Sequence, residues 1–167
     1  MNARDYIKKL HLIPHPEGGF FKEIYRAEGI ISQLSLPIRY NAGRAYSTSI
    51  YYLLESGDFS SLHRLRSDEQ WFHIDGCALT VHSISADGTY IARSIGKDLD
   101  AGQLPFAAVT HGNWFGATVD IQNSFALVGC IVAPGFDFDD FELASRDEAI
   151  RTFPQHNHLI ESLTRKS

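Results

Sequence analysis

Gly57-Asp-Phe-Ser-Ser-Leu-His63-Arg-Leu-Arg-Ser-Asp-Glu69-Gln-Trp71-Phe-His73-Ile-Asp-Gly76 is the stretch that decides the fold class of this chain. It reads as strand, turn, strand. Successive side chains of a strand point to opposite faces, so Glu69, Trp71 and His73, two apart each time, share one face. A carboxylate, an indole and an imidazole on one face suit the lining of a pocket. A dry core does not suit them, because burying an unpaired charge is costly.

The sequence on either side extends the β reading. Residues 3–12 place Tyr6, Ile7 and Leu10 at helical spacing and predict a short N-terminal helix, which His15-Pro-Glu-Gly-Gly19 breaks. Strands follow at Phe20–Arg26 and, rich in β-branched and aromatic residues, at Tyr46–Leu54, with an irregular loop over 29–44 between them. Beyond them come Leu62–Arg66, Glu69–Ile74, Ala78–Ile84, Tyr90–Ile95 after the Ala86-Asp-Gly88 turn, Leu104–Val109, Asn113–Val119 and Phe125–Val132. About nine strands joined by short turns, without intervening helices, predict an antiparallel sandwich or barrel. Past Pro134, Ser145-Arg-Asp-Glu148 is a capping box opening a helix; Pro154 interrupts it, and Leu159, Ile160 and Leu163 form the stripe of a last one. The expected organisation is one domain over 1–167, with a barrel core at about 18–142 and C-terminal helices at about 145–165.

Composition narrows the function classes. The 167 residues suit one domain with a sizeable core. Net charge is −5 and the pI about 5.9, with no basic stripe for nucleic acid and no Lys/Arg cluster for an anionic membrane. No apolar run is long enough to span a bilayer, and the N-terminus lacks a signal-peptide apolar region. Cys77 and Cys130 are too few and too far apart for a disulfide framework or a CxxC zinc site, so the expected location is the cytoplasm, with two reduced, buried thiols. Eleven Phe, 7 Tyr and 2 Trp favour strands and an aromatic-lined cavity. Asp137, Asp139, Asp140 and Glu142 lack calcium-loop spacing; Phe136, Phe138 and Phe141 are expected to plug an apolar surface while these acids face water. His156 and His158 fit an exposed helix start.

The spacing Gly57-x5-His63-x5-Glu69-x6-Gly76 resembles the first motif of the cupin superfamily, in which two histidines two residues apart and a glutamate point into a small jelly-roll barrel. His63 and Glu69 match; Leu65 replaces the second histidine. The second motif resembles Thr110-His-Gly-Asn-Trp-Phe115, where Gly112 keeps the turn and Phe115 takes the histidine position. A narrower resemblance covers nearly the whole chain: His15-Pro-Glu-Gly-Gly-Phe-Phe21, Ser49-Ile-Tyr-Tyr-Leu53, His63-Arg64 with Asp68-Glu69 and Trp71, and Val132-Ala-Pro-Gly-Phe-Asp-Phe-Asp-Asp-Phe-Glu142 look like a small cupin family of unknown function. It implies a cupin barrel paired as a homodimer. Gly19-Phe-Phe21-Lys-Glu23 also resembles the entry strand of deoxysugar-nucleotide 3,5-epimerases, although Gly18 stands where their phosphate-holding arginine would be. Arg26, Arg39, Arg44 and Arg64 are the alternatives for phosphate. In those enzymes a barrel histidine removes a proton α to a carbonyl and a tyrosine returns one. That implies His63 as base and leaves Tyr46, Tyr51 and Tyr52 open as the acid.

The expected function is binding, with epimerisation or isomerisation, of a small polar carbohydrate-like or nucleotide-sugar ligand inside the barrel. His63 and Glu69 are the candidate catalytic pair, Trp71 and His73 the pocket lining, and Glu17, Lys22, Arg26 and Arg64 the polar contacts at the rim. No metal is expected; a divalent transition metal, if bound, would use His63 and Glu69 with His73 or His111, and catalytic metal sites want about three protein ligands. The rival readings are a metal-dependent oxygenase or isomerase and a non-catalytic small-ligand-binding module. Structural roles compete at each site: His63 bonding a carbonyl, Glu69 in a salt bridge to Arg64 or Arg66, Trp71 and Trp114 as packing, and Glu17-Gly-Gly19 as a simple turn.

Overall fold

The computed structural model describes residues 1–165. Helix α1 (Ala3–Leu10) is opened by a capping box between Asn2 and Asp5 and packs Ala3, Tyr6, Ile7 and Leu10 against Leu53 and Leu127. The strands are β1 (Ile13–Pro14), β2 (Phe20–Arg26), β3 (Ile30–Ile31), β4 (Arg44–Ala45), β5 (Thr48–Glu55), β6 (Phe59–Leu65), β7 (Asp68–Gly76), β8 (Leu79–Ile84), β9 (Tyr90–Ile95), β10 (Phe106–Val109), β11 (Trp114–Val119), β12 (Phe125–Ala133) and β13 (Phe141–Leu143). Helices α2 (Arg146–Thr152) and α3 (Asn157–Ser162) follow.

Two antiparallel sheets face each other, one in the order β1-β2-β5-β12-β7-β10 and the other β13-β6-β11-β8-β9. Apart from the consecutive pairs β1-β2 and β8-β9, neighbours in these orders are not consecutive in sequence, which is the jelly-roll connectivity of a cupin barrel rather than a meander. Their inner faces share one core, in which Trp71 of β7, Tyr52 of β5, Phe115 of β11 and Val128 of β12 are each 1 % exposed or less. Alternation on β6 sends His63 and Leu65 into this barrel. Leu62 and Arg64 point the other way, and Leu62 joins Ile84, Ala149, Phe153, Ile160 and Leu163 in a second core beneath the C-terminal helices. No helix among the described residues is long and apolar enough to cross a membrane.

Several local expectations change. The 29–44 segment is not wholly irregular: β3 pairs with β4 around a 3-10 turn at Gln33–Ser35. Ser145 is the N-cap of α2, but its side chain makes no capping hydrogen bond. Half-buried His156 bonds the Gly88 carbonyl at 2.8 Å, so it is not an exposed helix start. Cys77 is half-buried; Cys130 is buried. The acids of 137–142 do not all face water, because Asp140 is 5 % exposed and grips Arg44 through two hydrogen bonds of 2.6 Å. This ion pair fastens β4 to the segment that leads into β13, and Arg66 approaches the same carboxylate at 3.7 Å.

Asp58, just before β6, joins two remote segments. One oxygen accepts from the Gly19 N–H at 2.9 Å and the other from Arg165 Nη2 at 2.8 Å. A buried ion pair that loses one partner leaves an uncompensated charge, so Asp140→Ala is expected to lower unfolding free energy by roughly 3–5 kcal/mol in urea denaturation. A loss within experimental error would show that Arg44 finds water or another partner.

Candidate functional site

β2, β5, β6, β7 and β12, with the His15–Gly18 loop and the 136–141 segment, enclose a cavity of about 240 Å³. Six aromatic side chains form part of its walls: Phe21, Tyr52, Trp71, Phe136, Phe138 and Phe141. The last three meet edge-on at the mouth, with centroids 5.0 to 6.3 Å apart. His15, Glu17, His63, Glu69 and Cys130 supply the polar groups inside.

Glu17 and His63 form the central contact, with Oε2 and Nε2 3.3 Å apart. His63 Nδ1 lies 2.7 Å from the Ser61 carbonyl, which can only accept, so Nδ1 carries the ring proton and Nε2 offers a lone pair. The same Glu17 oxygen is 3.4 Å from His15 Nδ1, which itself accepts the Glu17 N–H at 3.3 Å. Ser60 Oγ donates to Glu17 Oε1 at 2.9 Å. Glu17 Oε2 thus faces two lone pairs, and a hydrogen bond to His63 requires a proton on that oxygen or on Nε2. Burial raises the Glu17 carboxyl above its ordinary value and lowers His63 to about 4, so of the two groups Glu17 is the one that favours holding a shared proton.

Glu69 is the second buried acid. It forms no ion pair or hydrogen bond of full geometry with any described residue. The Trp71 indole N–H and the Cys130 thiol stand beside it, yet Trp71 Nε1 is itself without a partner. Burial, reinforced by the Glu17 carboxyl, pushes Glu69 up to about 8.

The structure brings together His63, Glu69, Trp71, Glu17 and Arg26 of the predicted site. Glu17 is not a rim contact but a buried member of the floor, 5 % exposed. It, and not Glu69, is the partner of His63, and neither Arg64 nor Arg66 pairs with Glu69. His73 lies outside the cavity: at about 3.3 Å per residue it is some 13 Å along β7 from Glu69, and its Nε2 bonds the Cys77 carbonyl at 3.1 Å. Lys22 points outward because Phe21 and Glu23 take the inward positions of β2. Arg64 points outward too, pairing with Glu142 at 2.8 Å and lying over the Trp114 ring. Of the three tyrosines only Tyr52 reaches the cavity, and its hydroxyl donates to the Gly18 carbonyl at 2.9 Å. Phe136, Phe138 and Phe141 do cover an apolar surface, and that surface is the cavity mouth. His15, Glu23 and Cys130 were missed; the i, i+2 spacing of His15 and Glu17 in the His15-Pro-Glu-Gly-Gly19 stretch was the available signal for His15.

The metal site of metal-binding cupins does not fit these residues. Leu65 lines the cavity where their second histidine stands, and Phe115 lies beside His63 in the β6–β11 register with its ring centroid 4.1 Å away. His111 is outside the barrel, 2.7 Å from Asp68. Among the described residues no three His, Cys, Asp or Glu side chains converge as a ligand set.

Comparison with known proteins agrees with this architecture. A protein of Shewanella oneidensis, solved as a structural genomics target, is 40% identical, superposes with a TM-score of 0.90 and aligns over 100% of this chain and 99% of its own. A hypothetical protein from Leishmania major is 32% identical with a TM-score of 0.90, over 99% of this chain and 100% of its own. Oxalate decarboxylase from Bacillus subtilis, a protein with Mn(II) centres, shares the fold alone: 15% identity and a TM-score of 0.55, over 92% of this chain and 37% of its own. No curated protein matches the chain. The profile of the cupin superfamily family DUF985 matches residues 4–144, and with the barrel and its glutamate–histidine floor in view the chain belongs to that family.

Proposed function

We propose that this protein binds a small polar ligand of about monosaccharide size in the barrel and epimerises or isomerises it there by proton transfer. The Glu17–His63 contact carries the reading: an acid and an imidazole, both buried, stand close enough to share one transferable proton at the cavity. A volume of about 240 Å³ is below the usual range for drug-sized ligands, so any nucleotide attached to the sugar would lie outside, beside Arg26 at the mouth. The cavity is preformed and held by strands, which supports a positioned reaction rather than loose capture. Free thiols at Cys77 and Cys130 support a cytoplasmic location. A homodimer is the accompanying proposal, supported by the family likeness and by Leu34 and Ile38, 99% and 104% exposed on the arm between β3 and β4.

Thermal-shift screening of monosaccharides, sugar phosphates and nucleotide sugars tests the site. Hits should lose affinity at least about tenfold in His63→Gln, and any turnover should fall by roughly 10²–10⁴ in kcat. Unchanged affinity and activity in that variant would remove His63 from the site. Sedimentation at micromolar concentration should show a dimer that Leu34→Asp with Ile38→Asp converts to monomer; a monomeric wild-type protein would end that proposal.

The raised Glu69 carboxyl gives a pH signature. Its folded pKa of about 8 lies above the unfolded value, so its contribution to stability is complete at low pH and is lost as pH rises toward 8. His63, depressed to about 4, acts oppositely but only below its unfolded pKa of about 6.5. Between about pH 6.5 and 9 the wild-type protein should therefore lose ~2 kcal/mol more unfolding free energy than Glu69→Gln, measured by urea denaturation at the two pH values. Parallel losses in both proteins would mean that Glu69 is ionised throughout.

A further inference from the structure

Acidic groups outnumber basic ones around the cavity. Four acids line it, Glu17, Glu23, Glu69 and Asp137, against the single guanidinium of Arg26. Arg26 is at the mouth and already engaged, with two hydrogen bonds to Glu23 of 2.6 and 3.0 Å and two to the Phe136 carbonyl. No lysine lines the cavity. Glu69, 7 % exposed, faces this interior with neither a cation nor a full hydrogen bond to satisfy it. A buried carboxyl of this kind is costly unless something brings it a partner. The surrounding walls supply Phe21, Tyr52, Trp71, Phe136, Phe138 and Phe141, whose ring faces attract a cation electrostatically.

We propose that the ligand of this cavity is an organic cation, a small polyhydroxylated or similarly polar amine whose protonated nitrogen pairs with Glu69 within the aromatic walls. The inference rests on the cavity being the ligand site and adds the chemical class of the ligand. A neutral polyol would bring Glu69 no ionic partner. A carboxylate or phosphate would have to enter past Glu23 and Asp137 toward two further acids, with no free cation inside to receive it.

The proton accounting follows from the neighbours of Glu69. Tyr52 and Cys130 are pushed well above their ordinary values by burial and keep their protons; His63 and His15 are lowered by burial and stay neutral. Burial raises Glu17 and lowers His63, which favours a shared proton on the carboxyl in their 3.3 Å contact. Glu23, Arg26 and Asp137 remain at the rim. Pairing with an ammonium favours the ionised form of Glu69, which passes its proton to solvent. Cation binding therefore releases a proton, neutral ligands release none, and an anion would hold the carboxyl in its acid form.

Three hexitol derivatives of similar size separate these cases: N-methylglucamine as the cation, sorbitol as the neutral compound and gluconate as the anion. Ethanolamine, choline and putrescine extend the cationic series. We expect N-methylglucamine or another amine of the series to raise Tm at pH 7 and to bind at least about tenfold more tightly than sorbitol. Calorimetry in two buffers of different ionisation enthalpy should show close to one proton released per site, and Glu69→Gln should abolish both the release and the preference. Sorbitol or gluconate binding as tightly as the amines, amine binding without proton release, or no shift with any amine would each overturn the cation assignment, and binding of the neutral or anionic compounds would leave the cavity reading standing. Amine binding that survives a cavity-filling Val132→Phe change, in a protein that still unfolds cooperatively, would place the ligand elsewhere and overturn both.

Discussion

Holding the Glu17 carboxyl between two imidazoles inside the barrel constrains much of what surrounds it. The loop that carries it must enter the cavity end of the barrel closely enough that a Cβ at Gly18 would collide with the Phe59 carbonyl, and both Gly18 and Gly19 adopt positive φ. The loop is then fixed from several sides: Ser61 N–H donates to the Glu17 carbonyl at 2.8 Å, Tyr52 to the Gly18 carbonyl, and Gly19 N–H to Asp58. Ser61 thereby links both partners, since its carbonyl also fixes the tautomer of His63. A buried acid with this many fixed neighbours has little freedom to move, and catalysis benefits from groups whose geometry is set in advance.

The same barrel shows how a cupin framework can carry a different polar centre. Phe115 fills space beside His63 that a metal ligand would need, and Leu65 contributes wall rather than a donor. Freed from that arrangement, the imidazole turns its basic nitrogen to Glu17. The centre that results is a proton-sharing pair in an apolar enclosure, with Glu69 as a second acid and aromatic rings closing the mouth. Keeping two carboxyls inside works against stability, a tension common at sites whose chemistry demands buried polar groups.

Much of the architecture was legible because strands announce themselves by alternation. Glu69 and Trp71 do share an inward face, and the β6 and β2 periodicity explains in retrospect why Arg64 and Lys22 cannot. His73 follows the same alternation but lies too far along β7, because a period of two fixes the face and not the depth in the barrel. The partner of His63 was hidden for another reason. Glu17 comes from a glycine loop more than forty residues away, and no local period records which loop a barrel will admit. The Arg44–Asp140 pair, 96 residues apart, was invisible likewise: the acidic run looked like a solvated face.

Asp58 gives the chain an ordering in time as well as in space. Its two oxygens hold the loop of Glu17 and the segment of Arg165 together, across more than a hundred residues of intervening sequence. During synthesis the first of these emerges early and the second only after every strand has been made, at a few residues per second to a few tens. The loop that completes the floor of the cavity is therefore fully tethered only once residue 165 has left the ribosome. A nascent barrel with all its strands paired still lacks one anchor of that loop, so assembly of the site trails assembly of the fold.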